Sequence, residues 1–423
     1  MTENPTLEPA RRAARDIFLA GVAAADPVAA LELAWAAHPP PAPRPGGRVC
    51  VLGLGKAARA MTGVALARLP GAAALVVTND ENARPLAGAE VVAAGHPEPD
   101  ARGAAAAERV AACVAGMGAG DVLVALISGG GSALLPAPVA GLGLDDKAAV
   151  NRLLLAHGFD IAGTNLVRQA LSRLKGGGLA RLAAPARVAG YILSDVVGDD
   201  LRVVASGPTA APIGSRAEAA ELLRRRGVWE RLPEAVRAHL ARSEPAPPPP
   251  PEVTNLLIGG NSQSVAAMAG EARAVGWRVR MAEAPLTGDV GEAAAMVARA
   301  VAEAAPGMAL VWGGETTVNV TGPGLGGRNQ ELALRVALAL AGCEGWVFLS
   351  GGTDGRDGPT DAAGGLVDAG SLASMRAAGI EPEAALAAND SYPALAASGD
   401  LLLTGATGTN VADLQVALRL PAP

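Results

Sequence analysis

Two α/β domains are predicted by this sequence, and three observations carry the prediction. Short apolar runs alternate with Ala-rich helical segments along almost the whole chain, the pattern of strands that feed crossover helices. At 423 residues the chain exceeds one ordinary core. A polyproline run, "SEPAPPPPPEV" from Ser243 to Val253, separates two alternating halves and reads as a linker. The expected domains are therefore 1–245, a three-layer α/β/α arrangement around a mostly parallel sheet, and 252–423, a second α/β domain.

The elements follow in order. A helix is expected over Ala10–Ala25 with a restart at Asp26-Pro27, ending in the Pro-rich stretch Pro39–Pro45. Strands are expected at Val49–Leu54, Ala74–Thr78, Val122–Ile127 and Val188–Leu193, and beyond the linker at Leu256–Ile258, Arg278–Met281, Leu310–Trp312, Trp346–Leu349 and Leu401–Leu403. Val122–Leu144 carries no charge for long enough to span a bilayer, but Gly129-Gly130-Gly131, Pro136 and Pro138 interrupt it. A buried strand followed by a loop is the better reading, and no membrane partner is expected.

Composition narrows the function. Half of the residues are hydrophobic and 18% are charged, the balance of a globular chain. With a net charge of −6 and 2% aromatics, a nucleic-acid partner is not expected. Any anionic ligand must meet a local cluster of positive charge. Cys50, Cys113 and Cys343 have neither pairing nor metal spacing, and His38, His96, His157 and His239 form no zinc pattern. The N-terminus, with Glu3, Glu8, Arg11, Arg12 and Asp16, has no signal-peptide order. A reduced, cytoplasmic protein is the expectation.

Ligands of open parallel sheets bind beyond the carboxyl ends of the strands, so the loops there matter most. Val49–Leu54 runs into Gly53-x-Gly55-x-x-Ala58, which matches the dinucleotide fingerprint, with Asp80 and Glu81 after the next strand. Lys56, however, stands where a pyrophosphate would lie, and an ammonium suits an acid or a terminal phosphate better. The loop Ser128, Gly129, Gly130, Gly131, Ser132 can bring backbone N–H groups close to an anion, and Ser132 could cap the next helix. Over Asn165–Arg181, at about 100° per residue, Asn165, Arg168, Ser172 and Lys175 fall on one basic stripe opposite Leu166, Val167, Leu171 and Leu174, with Gly176-Gly177-Gly178 ending the helix. "SDVVGDDLRVVASGPT" (194–209) clusters Asp195, Asp199 and Asp200. Carboxylates at a strand end can hold Mg²⁺, and Asp195 is nearest the strand.

In the second half, Glu315 follows Gly313-Gly314, and Arg328 stands at a glycine-flanked helix start. The helix dipole disfavours a cation there; an arriving anion would explain it. Asp354, Asp357 and Asp361 share one loop without EF-hand spacing, and "TGATGTNVADL" (404–414) is another Gly/Thr-rich loop. Lysine, arginine, glycine cradles and carboxylates at the strand ends of two α/β halves make a phosphoryl-transfer layout.

The texts "GLGKAARAM", "ISGGGSALL", "LSRLKGG", "SDVVGDD…ASGPT", "GGETTVNV", "GGRNQELAL", "GGTDGRDGPTDAAGG" and "TGATGTNVADL", in this order from about Gly53 to Leu414, resemble the class II glycerate kinases, whose C-terminal part is called the MOFRL domain. The chain differs from the family's usual text at Ala170, commonly histidine, and Gly178, often arginine. Members of the family have also been labelled hydroxypyruvate reductases.

The resemblance implies a Rossmann-like N-terminal domain and a MOFRL-type domain with a mixed sheet. It further implies ATP- and Mg²⁺-dependent phosphorylation of D-glycerate, typically at the 2-hydroxyl, in a cleft between them. On this reading Lys56, Arg328 and Asp195 are the catalytic residues. Ser128 to Ser132, Lys175, Gly314, Glu315 and Thr316 contact the nucleotide, and Asp195, Glu315 and Asp354 hold Mg²⁺. Whether an aspartate also orients the attacking hydroxyl stays open, as does a homodimer. Two alternatives stand beside it: an NAD(P)H-dependent hydroxypyruvate reductase using Gly53, Gly55 and Asp80, for which no histidine stands in a recognisable proton-donor position, and a binding protein that senses a sugar acid.

Overall fold

The computed structural model describes residues 7–243 and 252–421; most of the polyproline linker lies outside them. The chain divides into two compact units that do not follow chain order. Pro27–Ser194 with Asp199–Ile258 form one, and Met1–Asp26, Asp195–Gly198 and Gly259–Pro423 form the other. Residues 7–26 thus lie outside the expected N-terminal domain, and the first strand after the linker joins it.

The 27–258 unit is built on six strands: β1 (Val49–Leu54), β2 (Ala73–Asn79), β3 (Ala89–Ala94), β4 (Val122–Ile127), β5 (Arg187–Leu193) and β6 (Val253–Gly259). Their order is β3-β2-β1-β4-β5-β6, and every pair from β3 to β5 is parallel, with Leu52 beside Leu75 and Ala125, and Leu126 beside Tyr191. Central parallel strands are covered on both faces, which is why β4 is an unbroken apolar run, buried at all six positions. β3, "AEVVAA", escaped the sequence reading because an alanine-rich edge strand has little β-propensity. The uncharged stretch from Val122 is strand β4 followed by a loop and a four-residue helix, Gly131–Leu134. Among the described residues no single helix is long and apolar enough to cross a membrane.

The other unit has a mixed sheet of β7 (Arg278–Met281), β8 (Leu286–Asp289), β9 (Met308–Thr317), β10 (Trp346–Gly352), β11 (Gly364–Asp368), β12 (Leu401–Leu402) and β13 (Asp413–Arg419). β12-β11-β10-β13-β9 run antiparallel in that order, and β7 and β8 both pair with β9 in parallel. Side chains alternate faces along a strand, and β9 and β10 divide their residues accordingly. Leu310, Trp312, Trp346 and Phe348 pack under the helices Val290–Glu303 and Arg328–Ala339, while Ala309, Val311, Val347 and Leu349 pack under the helices Glu8–Ala24 and Asn261–Ala274.

The helix Glu8–Ala24 belongs here because its apolar stripe has a partner here. Ala14, Ile17, Phe18 and Val22 recur at helical spacing and join Met268, Leu349 and Val416 in one core. Gly21 lies at the contact: a Cβ there would come within 2.7 Å of Met268 Cγ and 2.8 Å of Leu414 Cδ1. Arg11 anchors the helix, donating to Asp368 Oδ2 at 2.6 Å and to Asp400 Oδ1 at 2.9 Å. Asp400 is 3% exposed, so removing its cation strands a buried charge. Arg11→Met is expected to lower the unfolding free energy by roughly 3 kcal/mol in urea; a loss within experimental scatter would show that the helix is held by its apolar stripe alone.

Candidate active site

In the unit that holds residues 259–423, a cavity of about 250 Å³ is lined by Asp195, Glu315, Arg328, Gly352, Asp354, Asn410, Ala412 and Asp413. Four carboxylates face one guanidinium. Asp195 arrives on the short segment that follows β5, Glu315 near the end of β9, Arg328 at the first residue of the helix Arg328–Ala339, Asp354 on the loop after β10, and Asp413 at the start of β13. Five separate motifs of the sequence converge on this space.

Arg328 is the organising group. Its Nε donates to Asp413 Oδ2 at 2.6 Å and its Nη2 to Asp413 Oδ1 at 2.9 Å, the two-pronged geometry that fixes a guanidinium plane. Its Nη1 lies 3.3 Å from Glu315 Oε1. Asp413 is 1% exposed and Arg328 36%, so one edge of the guanidinium is clamped and the rest is open to the cavity. The anion expected to justify a cation at this helix start is therefore supplied by the protein. Two carboxylates do it: Asp413 pairs with the side chain, and Asp357 accepts the backbone N–H groups of Asn329 at 3.1 Å and Gln330 at 2.8 Å, satisfying the orphan donors of the helix end.

The charge balance shows in the acidities. Burial opposes the charge of Arg328, but hydrogen bonding and the charges of Asp413 and Glu315 hold the guanidinium more firmly protonated than usual. Burial pushes Glu315 up; Arg328 opposes this, while Asp413, Asp195 and Asp354 add to it by like-charge repulsion. A cation entering the cavity would relieve that repulsion. Among the described residues no three acids, histidines or cysteines are grouped tightly enough to hold a metal by themselves. That donor set suits Mg²⁺, which keeps waters and phosphate oxygens beside one or two carboxylates.

Sequence reading missed the residues that position Asp413. Asn261, 6% exposed, donates to the carbonyls of Val411 and Asp413 at 2.8 and 2.9 Å, and Thr353 Oγ1 donates to Ala412 O at 2.7 Å and accepts from Val411 N–H at 2.8 Å. They hold Ala412 at φ 65°, left-handed for a residue with a Cβ. "GGN" after β6 was the available signal for Asn261; nothing local in the sequence marks Thr353.

The three aspartates of the 350–365 loop part company. Asp354 lines the cavity, Asp357 caps the helix, and Asp361 accepts from the Tyr392 hydroxyl. Gly314 and Thr316, expected at the nucleotide, do not line this cavity. A Cβ on Gly314 would meet Leu286 O at 2.0 Å where β8 packs, and Thr316 is buried.

In the 27–258 unit the loops after β1 and β4 touch. Lys56 N–H donates to Gly129 O at 2.9 Å and Ala57 N–H to Ser128 Oγ at 3.0 Å. A Cβ on Gly55 would lie 2.3 Å from Ser128 Oγ, so this glycine accommodates the neighbouring loop. The Ser128 N–H is spent on Leu54 O, which leaves the cradle to the amides of Gly129, Gly130, Gly131 and Ser132. Lys56 is half-buried, and among the described residues no carboxylate pairs with it. His96, given no role by the sequence, comes close to the same loop: a Cβ on Gly130 would be 3.2 Å from His96 Nε2 and 3.3 Å from Lys56 Cγ. Burial and then Lys56 push His96 down. Asp80, the acid a dinucleotide would need, is paired with Arg102 at 2.5 and 3.0 Å.

The basic helical stripe is not formed as expected. The helix is Ile161–Ala170 and stops five residues before Lys175. Gly176 and Gly177, at φ 53° and 76°, make a left-handed turn into the helix Gly178–Ala183 instead of ending one. Ser132 caps nothing: Lys175 Nζ donates to its carbonyl at 2.8 Å and to its hydroxyl at 3.1 Å. Asp200 is bound to Arg202 in a turn.

Residues 13–241 match the family described as a domain of unknown function, DUF4147, and residues 308–413 match the MOFRL family. A glycerate 2-kinase of Pyrococcus horikoshii is 38% identical over 88% of this chain and 87% of its own. An Agrobacterium vitis protein provisionally named a hydroxypyruvate reductase is 42% identical over 97% of this chain and 94% of its own. The crystal structure of a glycerate kinase from Thermotoga maritima has a TM-score of 0.89 at 36% identity, covering 98% of this chain and 100% of that one.

Asp357→Ala is expected to lower stability by about 1–2 kcal/mol in thermal unfolding, the cost of a lost N-terminal cap. An unchanged melting temperature would mean that the helix start is held by its glycine-rich approach.

Proposed function

Because the chain belongs to the DUF4147–MOFRL family, which includes glycerate kinases, we propose that it phosphorylates D-glycerate with ATP at the 2-hydroxyl, giving 2-phosphoglycerate in a cleft between its two domains. The observation that carries the reading is the convergence of Asp195, Glu315 and Asp354 on the cavity around the clamped Arg328.

Phosphoryl transfer passes through a loose transition state, so positioning and charge neutralisation supply most of the catalysis. Arg328, its plane fixed by Asp413, presents its open edge to the migrating phosphoryl group. Lys56, from the other unit, meets the glycerate carboxylate and the same phosphoryl group. The reading requires both cations to reach one substrate. Asp195, with Glu315 or Asp354, would hold Mg²⁺ together with water and phosphate oxygens, and the ion would supply neutralisation of phosphate charge. The amides of Gly129 to Ser132 and Lys175 serve the nucleotide. The reductase alternative finds less support: the close approach allowed by Gly55 is filled by Ser128, and Asp80 is occupied by Arg102.

Phosphorus NMR after incubation with ATP, Mg²⁺ and D-glycerate is expected to report 2-phosphoglycerate; oxidation of NADH by hydroxypyruvate without phosphorylation would refute the kinase. Lys56→Met and Arg328→Gln are each expected to lower kcat of the folded enzyme by on the order of 10³-fold, and Arg328→Gln, which strands the buried Asp413, also to lower stability. Glu315→Gln should raise the Mg²⁺ concentration at half-maximal rate about tenfold, and an unchanged Mg²⁺ dependence would remove Glu315 from the metal site.

A further inference from the structure

Three cations in the 27–258 unit have no anion to account for them. Lys147 and Lys175 are 7% and 4% exposed, and Arg168 is half-buried. Among the described residues none of the three has a carboxylate within ion-pair distance. Their partners are neutral. Lys147 Nζ reaches Leu171 O at 3.5 Å, Arg168 Nε donates to Asn151 Oδ1 at 2.9 Å, and Lys175 Nζ donates to Ser132 O and Oγ. Burying one unpaired ammonium is costly, and placing three like charges near one another adds repulsion. Burial and then Arg168 push Lys147 down to about 7, and burial followed by Lys147 and Arg168 push Lys175 well below its ordinary value.

Hydroxyls complete the cluster. Ser132 Oγ lies 2.8 Å from Ser206 Oγ, which donates to Asn165 Oδ1 at 2.7 Å. Ser206 and its neighbour Ala205 both adopt left-handed backbone, φ 61° and 50°. Such strain in consecutive non-glycine residues persists where a site demands it. Ser132 and Arg168, at the edge of the cluster, are half-exposed.

We propose that Lys147, Arg168 and Lys175, with the hydroxyls of Ser132 and Ser206, form a subsite for a phosphate-class anion, occupied in turnover by the phosphates of the nucleotide. The identity of the occupant rests on the kinase reading; the anion site itself does not. A dianion there would meet three cations and, once the Ser132 and Ser206 hydroxyls turn from each other and from Asn165, two hydroxyl donors, in a partly dehydrated setting where each contact is stronger than in water.

The test separates the two claims. The melting temperature of the full chain is measured against inorganic phosphate, with chloride at matched ionic strength as control, for the native protein, Arg168→Gln and Lys147→Met. Phosphate is expected to raise the melting temperature of the native protein, and Arg168→Gln, at a half-exposed position, to shift the half-maximal phosphate concentration upward at least tenfold. No phosphate-specific rise in the native protein, or the same rise in Arg168→Gln, overturns the subsite even if phosphorylation of D-glycerate is intact. Lys147→Met, which removes a buried cation, is expected to raise the melting temperature without phosphate and to blunt the phosphate response; an unblunted response also overturns it. For turnover, Arg168→Gln should raise KM for ATP at least tenfold and leave KM for D-glycerate within about twofold; the reverse split would overturn the nucleotide assignment.

Discussion

The bond between Arg328 and Asp413 is the constraint around which the acidic cavity is arranged. Without a fixed cation, Asp195, Glu315, Asp354 and Asp413 would be four carboxylates lining one small space, and repulsion would push their acidities up or their side chains apart. The two-pronged pair holds the guanidinium plane against one fully buried partner and leaves its other edge to the cavity. A buried ion pair contributes little net stability, and its usual worth is specificity of geometry. Here the geometry is that of a positive charge aimed into a negative site, which is what a metal-bound phosphate would meet.

The remainder of that unit secures the pair. Asp357 anchors the helix start below Arg328, and Asn261 and Thr353 pin the strained approach to Asp413. The mixed sheet supplies the platform, because β9, β10 and β13 are adjacent and their ends carry Glu315, Asp354 and Asp413. Residues outside the cavity lining thus decide where the cavity's side chains stand.

Much of this was legible in the sequence. The central parallel strands were readable because burial on both faces writes an unbroken apolar run, and β1 and β4 have the expected bounds. Arg328 announced itself by standing at a helix start where the dipole disfavours it. What could not be read was what compensates it, because Asp413 is 85 residues away in the chain. The basic stripe failed for a related reason. Helical periodicity continued past Ala170, but tertiary contacts between Lys175 and Ser132 reward a turn there. The leading helix forms where its periodicity predicts but packs in the unit that holds residues 259–423, since an amphipathic stripe states that a partner exists without saying which. Among the strands, β3, β8 and β11 are short or glycine- and alanine-rich, and pairing created them rather than propensity.

Two clusters of opposite sign emerge, each built within one unit: an acidic cavity with one held cation, and a basic cluster that pairs with no carboxylate among the described residues. The central claim is that Arg328 acts only as Asp413 holds it, and a double-mutant cycle on kcat/KM tests this most directly. Asp413→Asn, which keeps the shape of the buried side chain, is combined with Arg328→Gln. Coupled residues predict that the double variant is no slower than Arg328→Gln alone, within about threefold. Losses that multiply in full would mean the two side chains act independently, and would contradict the account.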